Sequence, residues 1–324
     1  MTTAFITGIT GQDGTILADR LVAEGCVVHG LVQTREEADA RAGSFPESVT
    51  LHVGELMERE PLVALMTCIQ PDEVYNLGGI SSVAFSWEQP GLTGAVSGLG
   101  ATYVYEGAAA AQEASGHPVR VVQASSSEIF GRPDRTPQDE LTTIRPINPY
   151  GAAKAYAHHM AAVFRDHGLH VATCIFYNHE STLRPPTFVT RKITMAAARI
   201  ARDGGGTLTL GDLSVRRDWG WAPDYVDAMI RAVRHDEALD FVIATGVAHS
   251  VEEFVAAAMT HAGIADWRTH VETDPAFVRP VDAGEQVGDA TRARDVLGWA
   301  PTVDFGEMVG RMVDHDRERL NMTD

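Results

Sequence analysis

Strand-like and helix-like stretches alternate up to Asn178, a strand-like opening runs straight into Gly8-Ile9-Thr10-Gly11-Gln12-Asp13-Gly14, and beyond Asn178 the alternation breaks into irregular, proline-containing sequence. These three observations predict an α/β protein. Its core is a doubly wound parallel sheet of Rossmann type, joined to a smaller, mixed α/β C-terminal lobe. Repeated βα units bury both faces of a parallel sheet beneath helices, through right-handed crossovers.

The elements follow in order. Residues 3–7 form a short apolar strand that ends on glycines, residues 15–24 have helical spacing, and residues 27–32 are strand-like. Further strands are expected at 49–53, 73–77, 119–124 and 171–177, with helices at 60–69, 94–114 and 149–168 between them. After Asn178, residues 181–186 are irregular, 188–202 form a helix that opens with Thr190, Arg191 and Lys192, and 240–245 form a strand at the sheet edge. Gly204-Gly205-Gly206 ends that helix in a turn. The division expected is a dinucleotide-binding domain of residues 1–178 plus 218–246, and a second lobe of 179–217 plus 247–324.

The 324-residue chain is long enough for a sizeable core. Its net charge of −18 disfavours nucleic acid and anionic membranes as partners. No basic leader and no apolar run of bilayer length stands out. Cys26, Cys68 and Cys174 lie in or beside apolar stretches and form no Cys-x-x-Cys pair. They read as reduced, mostly buried thiols of a cytoplasmic protein. His158, His159 and His167 have no carboxylate at metal-ligand spacing, so no metal site is expected.

Gly8, Gly11 and Gly14 sit between a strand and a helix. Glycines there permit a tight turn and let a pyrophosphate approach the helix N-terminus, with Thr10, Gln12 and Asp13 in the same loop. The second strand runs out into Gln33-Thr34-Arg35 without the acidic residue that usually meets the ribose hydroxyls of NAD. Arg35 can pair with a 2′-phosphate, which favours NADP. Glu36 and Glu37 follow immediately, and a solvated loop charge is the competing reading of Arg35. Glu55 is placed to meet adenine. Leu77 and Gly78, in Asn76-Leu77-Gly78-Gly79, let the cofactor lie close.

In Asn148-Pro149-Tyr150-Gly151-Ala152-Ala153-Lys154, Asn148 suits a helix cap and Pro149 the first helical position. Tyr150 and Lys154 then project from one face, one turn apart. A nearby ammonium is expected to favour the phenolate, which can take a proton from a sugar hydroxyl as hydride leaves the same carbon. Ser125, Ser126 and Ser127 end a strand, where open α/β sheets place ligands. Glu128 follows. A carboxylate there can remove a proton next to a new ketone and, once protonated, help a hydroxyl leave as water.

Together these motifs resemble the extended short-chain dehydrogenase/reductase family and, within it, the GDP-mannose 4,6-dehydratases. The longer stretches that carry the likeness include residues 124–131, Asn178-His179-Glu180-Ser181, Phe188-Val189-Thr190-Arg191-Lys192 and Arg217-Asp218-Trp219-Gly220, and it runs nearly end to end. The resemblance implies a GDP-sugar substrate, most simply GDP-mannose, and NADP as cofactor with NAD as the alternative. It implies Ser126 in place of the family's catalytic threonine, Glu128 as base, and Tyr150 and Lys154 as the oxidation pair. Leu56 joins Glu55 among the cofactor residues. Asn178, Val189, Lys192, Arg217 and Arg279 fall where the family holds the nucleotide diphosphate, and Ser81 and Glu180 are counted with them. Arginine and lysine suit a pyrophosphate in so acidic a chain.

Gln33 and Thr34 stand where the family usually has two arginines, which weakens 2′-phosphate recognition. Ser181-Thr182-Leu183-Arg184-Pro185 replaces its usual Ser-Pro-Arg-Arg-Gly. Ser82 and Trp221 replace common histidines. The departures at 33–34 and 181–185 count against a family-type tetramer, and those at Ser82 and Trp221 point to a changed hexose pocket. A homodimer is expected through the alanine-bearing helices 94–114 and 149–168. Rival readings are a nucleotide-sugar epimerase or decarboxylase, a dehydratase of a modified GDP-sugar, and a silent nucleotide-sugar-binding regulator. Glu128 argues against simple 4-epimerisation, and the intact serine, glutamate, tyrosine and lysine set argues against the regulator.

Overall fold

The computed structural model describes residues 1–277 and 284–322. The chain opens with β1 (Thr3–Thr7), α1 (Gln12–Ala23), β2 (Val27–Val32), α2 (Arg35–Arg41), β3 (Val49–Val53), α3 (Arg59–Ile69) and β4 (Glu73–Asn76). Next come α4 (Val83–Glu88), α5 (Pro90–Gly94), a wide π-type turn at Ala95–Leu99 and α6 (Gly100–Ser115). Residues 94, 95, 99 and 100 all hold right-handed helical angles, so α5, the turn and α6 run on as one helix. The expected start at residue 94 is therefore displaced to Pro90, where proline fits a first helical position. After β5 (Arg120–Ser126) come α7 (Pro149–Asp166) and β6 (His170–Phe176).

The remainder comprises β7 (Asn178–Glu180), α8 (Val189–Asp203), β8 (Leu208–Leu210), β9 (Arg216–Trp221), α9 (Ala222–Arg234), β10 (Asp240–Ile243), β11 (Ala248–Ser250), α10 (Val251–His261), β12 (Val271–Thr273), α11 (Thr291–Leu297) and α12 (Phe305–Asn321). Seven strands form one parallel sheet in the order β10-β6-β5-β4-β1-β2-β3. The expected doubly wound α/β class is what the chain adopts, and β10 lies at the edge as expected. The order reverses between β1 and β4, where Thr7 pairs with Asn76. Such a reversal opens a crevice at the carboxyl ends of the strands.

Side chains alternate across each strand, so neighbouring residues serve opposite layers. Ala4 and Ile6 pack with Leu17, Leu21, Met229 and Val233 under α1 and α9. Phe5 packs with Met66, Val104, Tyr105 and Ala108 under α3 and α6. A Cβ at Gly107 would stand 2.5 Å from the Met66 sulfur, so the glycine lets α6 press against α3. A second core joins α8, α10 and α12 to β8 and β9, around Ile193, Trp219, Phe254 and Met308. There Arg191 is buried and paired with Asp316 at 2.7 Å, tying α8 to α12.

Three expectations need correction. The division at residue 247 assigns α11 to the second lobe, yet Ala293, Leu297 and Trp299 join the core of the large sheet. Cys68 is exposed, because it lies on the outer face of α3; only Cys26 and Cys174 are buried. The helices α2 and α9 stand where the sequence expectation places none. Among the described residues, no helix is long and apolar enough to cross a membrane.

Candidate active site

The glycine loop is built to exclude side chains. Gly8 has φ +69°, and a Cβ on it would meet Gly78 N at 2.9 Å. A Cβ on Gly14 would stand 2.3 Å from Gly8 O. Gly11 caps α1 without a side-chain hydrogen bond, so the first-turn N–H groups remain for a ligand. Thr7 Oγ1 accepts the N–H groups of Leu77 (3.1 Å) and Gly78 (2.9 Å), locking the second glycine turn onto the first. A Cβ on Gly78 would meet Leu56 Cδ1 at 2.8 Å. This close backbone cradle at a helix N-terminus fits a dinucleotide pyrophosphate. Arg35 and Glu55 line a cleft of about 430 Å³ with Leu31, Gly54 and Leu65.

Gln12 and Asp13 also reach across the crevice. Gln12 Nε2 donates to His179 O (3.1 Å), and Ser181 Oγ donates to Gln12 Oε1 (2.9 Å). His179 Nε2 lies 2.9 Å from Asp13 Oδ2, and its Nδ1 lies 2.8 Å from Tyr177 O. Both partners only accept, so both ring nitrogens carry protons and His179 is an imidazolium. Burial opposes that charge, but Asp13 and the Tyr177 carbonyl outweigh it and raise the imidazole pKa. Burial likewise opposes the Asp13 carboxylate, and His179 outweighs it and lowers the pKa. The ring stacks on Tyr225, with centroids 4.5 Å apart.

The catalytic candidates converge where β5 ends against the start of α7. Asn148 caps α7, its Oδ1 accepting from Gly151 N at 2.7 Å. Its Nδ2 donates to Glu128 Oε2, also at 2.7 Å. A Cβ on Gly151 would stand 2.4 Å from Glu128 O, so that glycine brings the helix onto the glutamate turn. Ser126 Oγ accepts from Glu128 N at 3.3 Å. Ser126 lies close enough to Tyr150 to pull its phenol pKa down. Ser125 Oγ is buried with no hydrogen-bond partner among the described residues, an orphan at the carboxyl end of a central strand.

The charge state of the pair differs from the sequence expectation. Burial pushes the Tyr150 phenol up to about 12; Ser126 pulls it down and the Glu128 charge pushes it up. Lys154 is buried, donates from Nζ to Ala124 O at 2.9 Å, and lies 5.9 Å from the centre of the Tyr150 ring. Burial lowers its own pKa to about 8, against the pull of Asp13. The ammonium therefore lies toward the ring face and does not offset desolvation of the phenol. Ser126 and, through its charge, Arg184 are the side chains that favour the phenolate.

On the far side, Asn178 and Glu180 lie on β7. Glu180 is buried, accepting from Thr190 Oγ1 at 2.7 Å and paired with Arg184 at 3.0 Å, so its carboxylate is committed to the lobe. Val189 opens α8 at the surface. Lys192 Nζ donates to Thr209 O at 2.6 Å and lies over Phe277. Arg217 Nη1 donates to Arg216 O (2.8 Å) and Gly284 O (2.7 Å). Ser81 is exposed after β4. Arg279 lies outside the described residues.

Comparison with known proteins shows the family. The family model described as GDP-mannose 4,6 dehydratase matches residues 5–312. The chain belongs to the GDP-mannose 4,6-dehydratase family. It is 38% identical to GDP-mannose 4,6 dehydratase 1 of Arabidopsis thaliana, covering 97% of this chain and 90% of that one. It is 37% identical to the Homo sapiens GDP-mannose 4,6 dehydratase, covering 98% and 92%. Among solved structures, the Thermus thermophilus UDP-glucose 4-epimerase in complex with NAD superposes with a TM-score of 0.82 at 26% identity, covering 98% of this chain and 99% of that one.

Ser82, Thr34 and Trp221, read in the sequence as departures from the family pattern, have local work. Ser82 caps α4, accepting from Phe85 N at 3.2 Å. Thr34 Oγ1 accepts from Glu37 N at 3.1 Å at the start of α2. Trp221 lies under Arg311, 5.2 Å from ring centre to guanidinium. Sequence reasoning missed Asn148 as the anchor of Glu128 and His179 as the partner of Asp13. The capping pattern marked Asn148, but nothing in the sequence says where its amide nitrogen goes.

Proposed function

We propose that the chain is a GDP-hexose 4,6-dehydratase, a lyase that converts GDP-mannose into GDP-4-keto-6-deoxymannose. The observation that carries this reading is Glu128, anchored by Asn148 next to Ser126 and Tyr150 at the carboxyl end of β5. A bound nicotinamide dinucleotide, NADP by family with NAD as the alternative, would supply a hydride acceptor at C4 of the sugar and a donor at C6. Tyr150, beside Ser126, takes the C4 hydroxyl proton as a phenolate while hydride leaves C4, which requires the bound ligands to bring the phenol down from about 12. Loss of the C4 hydrogen leaves a ketone that acidifies the C5 proton. Glu128 removes that proton and, now neutral, delivers one to the departing C6 hydroxyl, which leaves as water.

Family membership and the glycine cradle support the cofactor half of this reading. Asn178, Val189, Lys192 and Arg217 are the proposed contacts for the nucleotide diphosphate. The boundary between the two halves runs through the crevice that the Asp13 and His179 contact crosses. A homodimer is part of the proposal. Leu92, Leu99, Tyr156 and Val163 on the α5–α6 and α7 helices are large apolar side chains at the surface, and pairing two such faces would bury them.

The test is incubation of the purified chain with GDP-mannose and either dinucleotide, read by NMR of the sugar. A 4-keto-6-deoxy product supports the assignment. Inversion at C4 without loss of water, or binding without turnover, would refute it. Light scattering on the eluted protein tests the dimer, and a monomer at micromolar concentration would overturn that part alone.

A further inference from the structure

We infer that Glu37 makes this chain select NAD over NADP, an inference that rests on the dinucleotide reading of the glycine loop. In folds of this order the adenosine ribose lies between the glycine turn and the end of β2, and an acidic side chain about 20 residues beyond the turn meets its 2′-hydroxyl. No such residue stands at the strand end itself, where the sequence reads Gln33-Thr34-Arg35. The tertiary structure supplies one from the next helix. Glu37, half-buried in the first turn of α2, reaches back to the glycine loop. Thr10 Oγ1 donates to its Oε1 at 2.5 Å and Gln33 N donates to its Oε2 at 3.0 Å.

Those two donors are the ones a 2′-phosphate would need at this corner, one from the glycine turn and one from the strand end. Glu37 already holds both. Its two carboxylate oxygens retain lone pairs that can accept from ribose hydroxyls. A 2′-phosphate would instead bring close to two negative charges against a fixed carboxylate.

The surroundings hold Glu37 in place. Thr34 Oγ1 caps its N–H at 3.1 Å, and Gln33 Nε2 donates to Glu55 Oε2 at 3.4 Å, so Gln33 and Thr34 both hold the acidic residues of this corner in place. Arg41, one turn along α2, donates to Thr10 O at 2.6 Å, gripping the same threonine from its other end. Glu36 is exposed beside them. Arg35 is exposed as well, and solvent screens a surface cation more than a half-buried carboxylate.

Isothermal titration of the nucleotide-free full chain with NAD+ and NADP+ separately tests this without turnover. The expected result is NAD+ binding at least about tenfold tighter than NADP+, since like charges in contact cost several kcal/mol. Glu37→Gln keeps an acceptor and removes the charge. It is expected to tighten NADP+ by about tenfold while NAD+ stays within about threefold. NADP+ binding tighter than NAD+ in the unmodified chain, or an unchanged ratio in Glu37→Gln, would overturn the inference and leave the dinucleotide reading standing. Failure to bind either nucleotide would sink both.

Discussion

Asn148 holds Glu128 at 2.7 Å through its amide nitrogen while its amide oxygen caps the helix that carries Tyr150. One side chain therefore sets the distance between the proposed base and the proposed phenol. The anchor is neutral, so it fixes the carboxylate without cancelling its charge, and one glutamate oxygen stays available to a proton.

Asn148→Ser separates the two duties, because serine also caps a helix but cannot reach Glu128. Unfolding free energy should fall by only about 1–2 kcal/mol, from the lost hydrogen bond to Glu128 rather than from the cap. Exchange of the C5 proton with deuterium from solvent should slow by about tenfold to a hundredfold, since small misplacements of a catalytic group are costly. Parallel urea unfolding and exchange measurements check this, and undiminished exchange would remove Asn148 from the site.

Glu128→Gln should leave cofactor binding and folding intact and slow C5 exchange and water loss by about 10²- to 10⁴-fold, the usual worth of a positioned base. Reduction of the cofactor in a single turnover should persist. A variant that dehydrates at the parent rate would show that another group takes the C5 proton.

Lys154→Met is expected to stabilise the fold at neutral pH while abolishing turnover. Burial lowers the Lys154 pKa to about 8, so the folded chain binds this proton less tightly than the unfolded chain does. The penalty is fully present below about pH 8 and disappears as pH rises toward the unfolded value of about 10.4. A gain of roughly 1–3 kcal/mol at pH 7 that shrinks by pH 10 is expected, allowing for the lost bond to Ala124 O. Denaturant melts at the two pH values decide it; a loss of stability at pH 7 would contradict it.

The Asp13 and His179 pair should make stability depend on pH in a defined direction. Asp13 has a lowered pKa when folded, so its contribution is present above about pH 3.9 and is lost as pH falls through the folded value. His179 has a raised pKa, so its contribution is complete below about pH 6.5 and is lost as pH rises through the folded value. His179→Asn should therefore flatten the alkaline side of the stability profile. Nitrogen NMR of the parent should show both ring nitrogens protonated at pH 6; a neutral ring there would contradict the hydrogen-bond assignment.

Much of the frame was legible because it is written in local periodicity. The strands at 3–7, 27–32 and 49–53 have the bounds expected, and the tyrosine helix begins at Pro149 as its cap signal implied. The helices α2 and α9 were not legible in the same way. Arg35–Arg41 is short and charged, and Ala222–Arg234 follows directly on a strand with a proline near its start. Trp299 shows another limit: it packs under the large sheet, far in sequence from the strands it covers.

The parallel sheet, the glycine turn at the end of its first strand, and a tyrosine and lysine on one helical face are local features, because each depends on residues within a turn or two of one another. Only packing brings Asn148 onto Glu128, leans Glu37 back to Thr10, sets Asp13 against His179 and pushes the Tyr150 phenol up to about 12. Contacts across distant segments and removal from water are properties of the packed chain, and no spacing in the sequence encodes them.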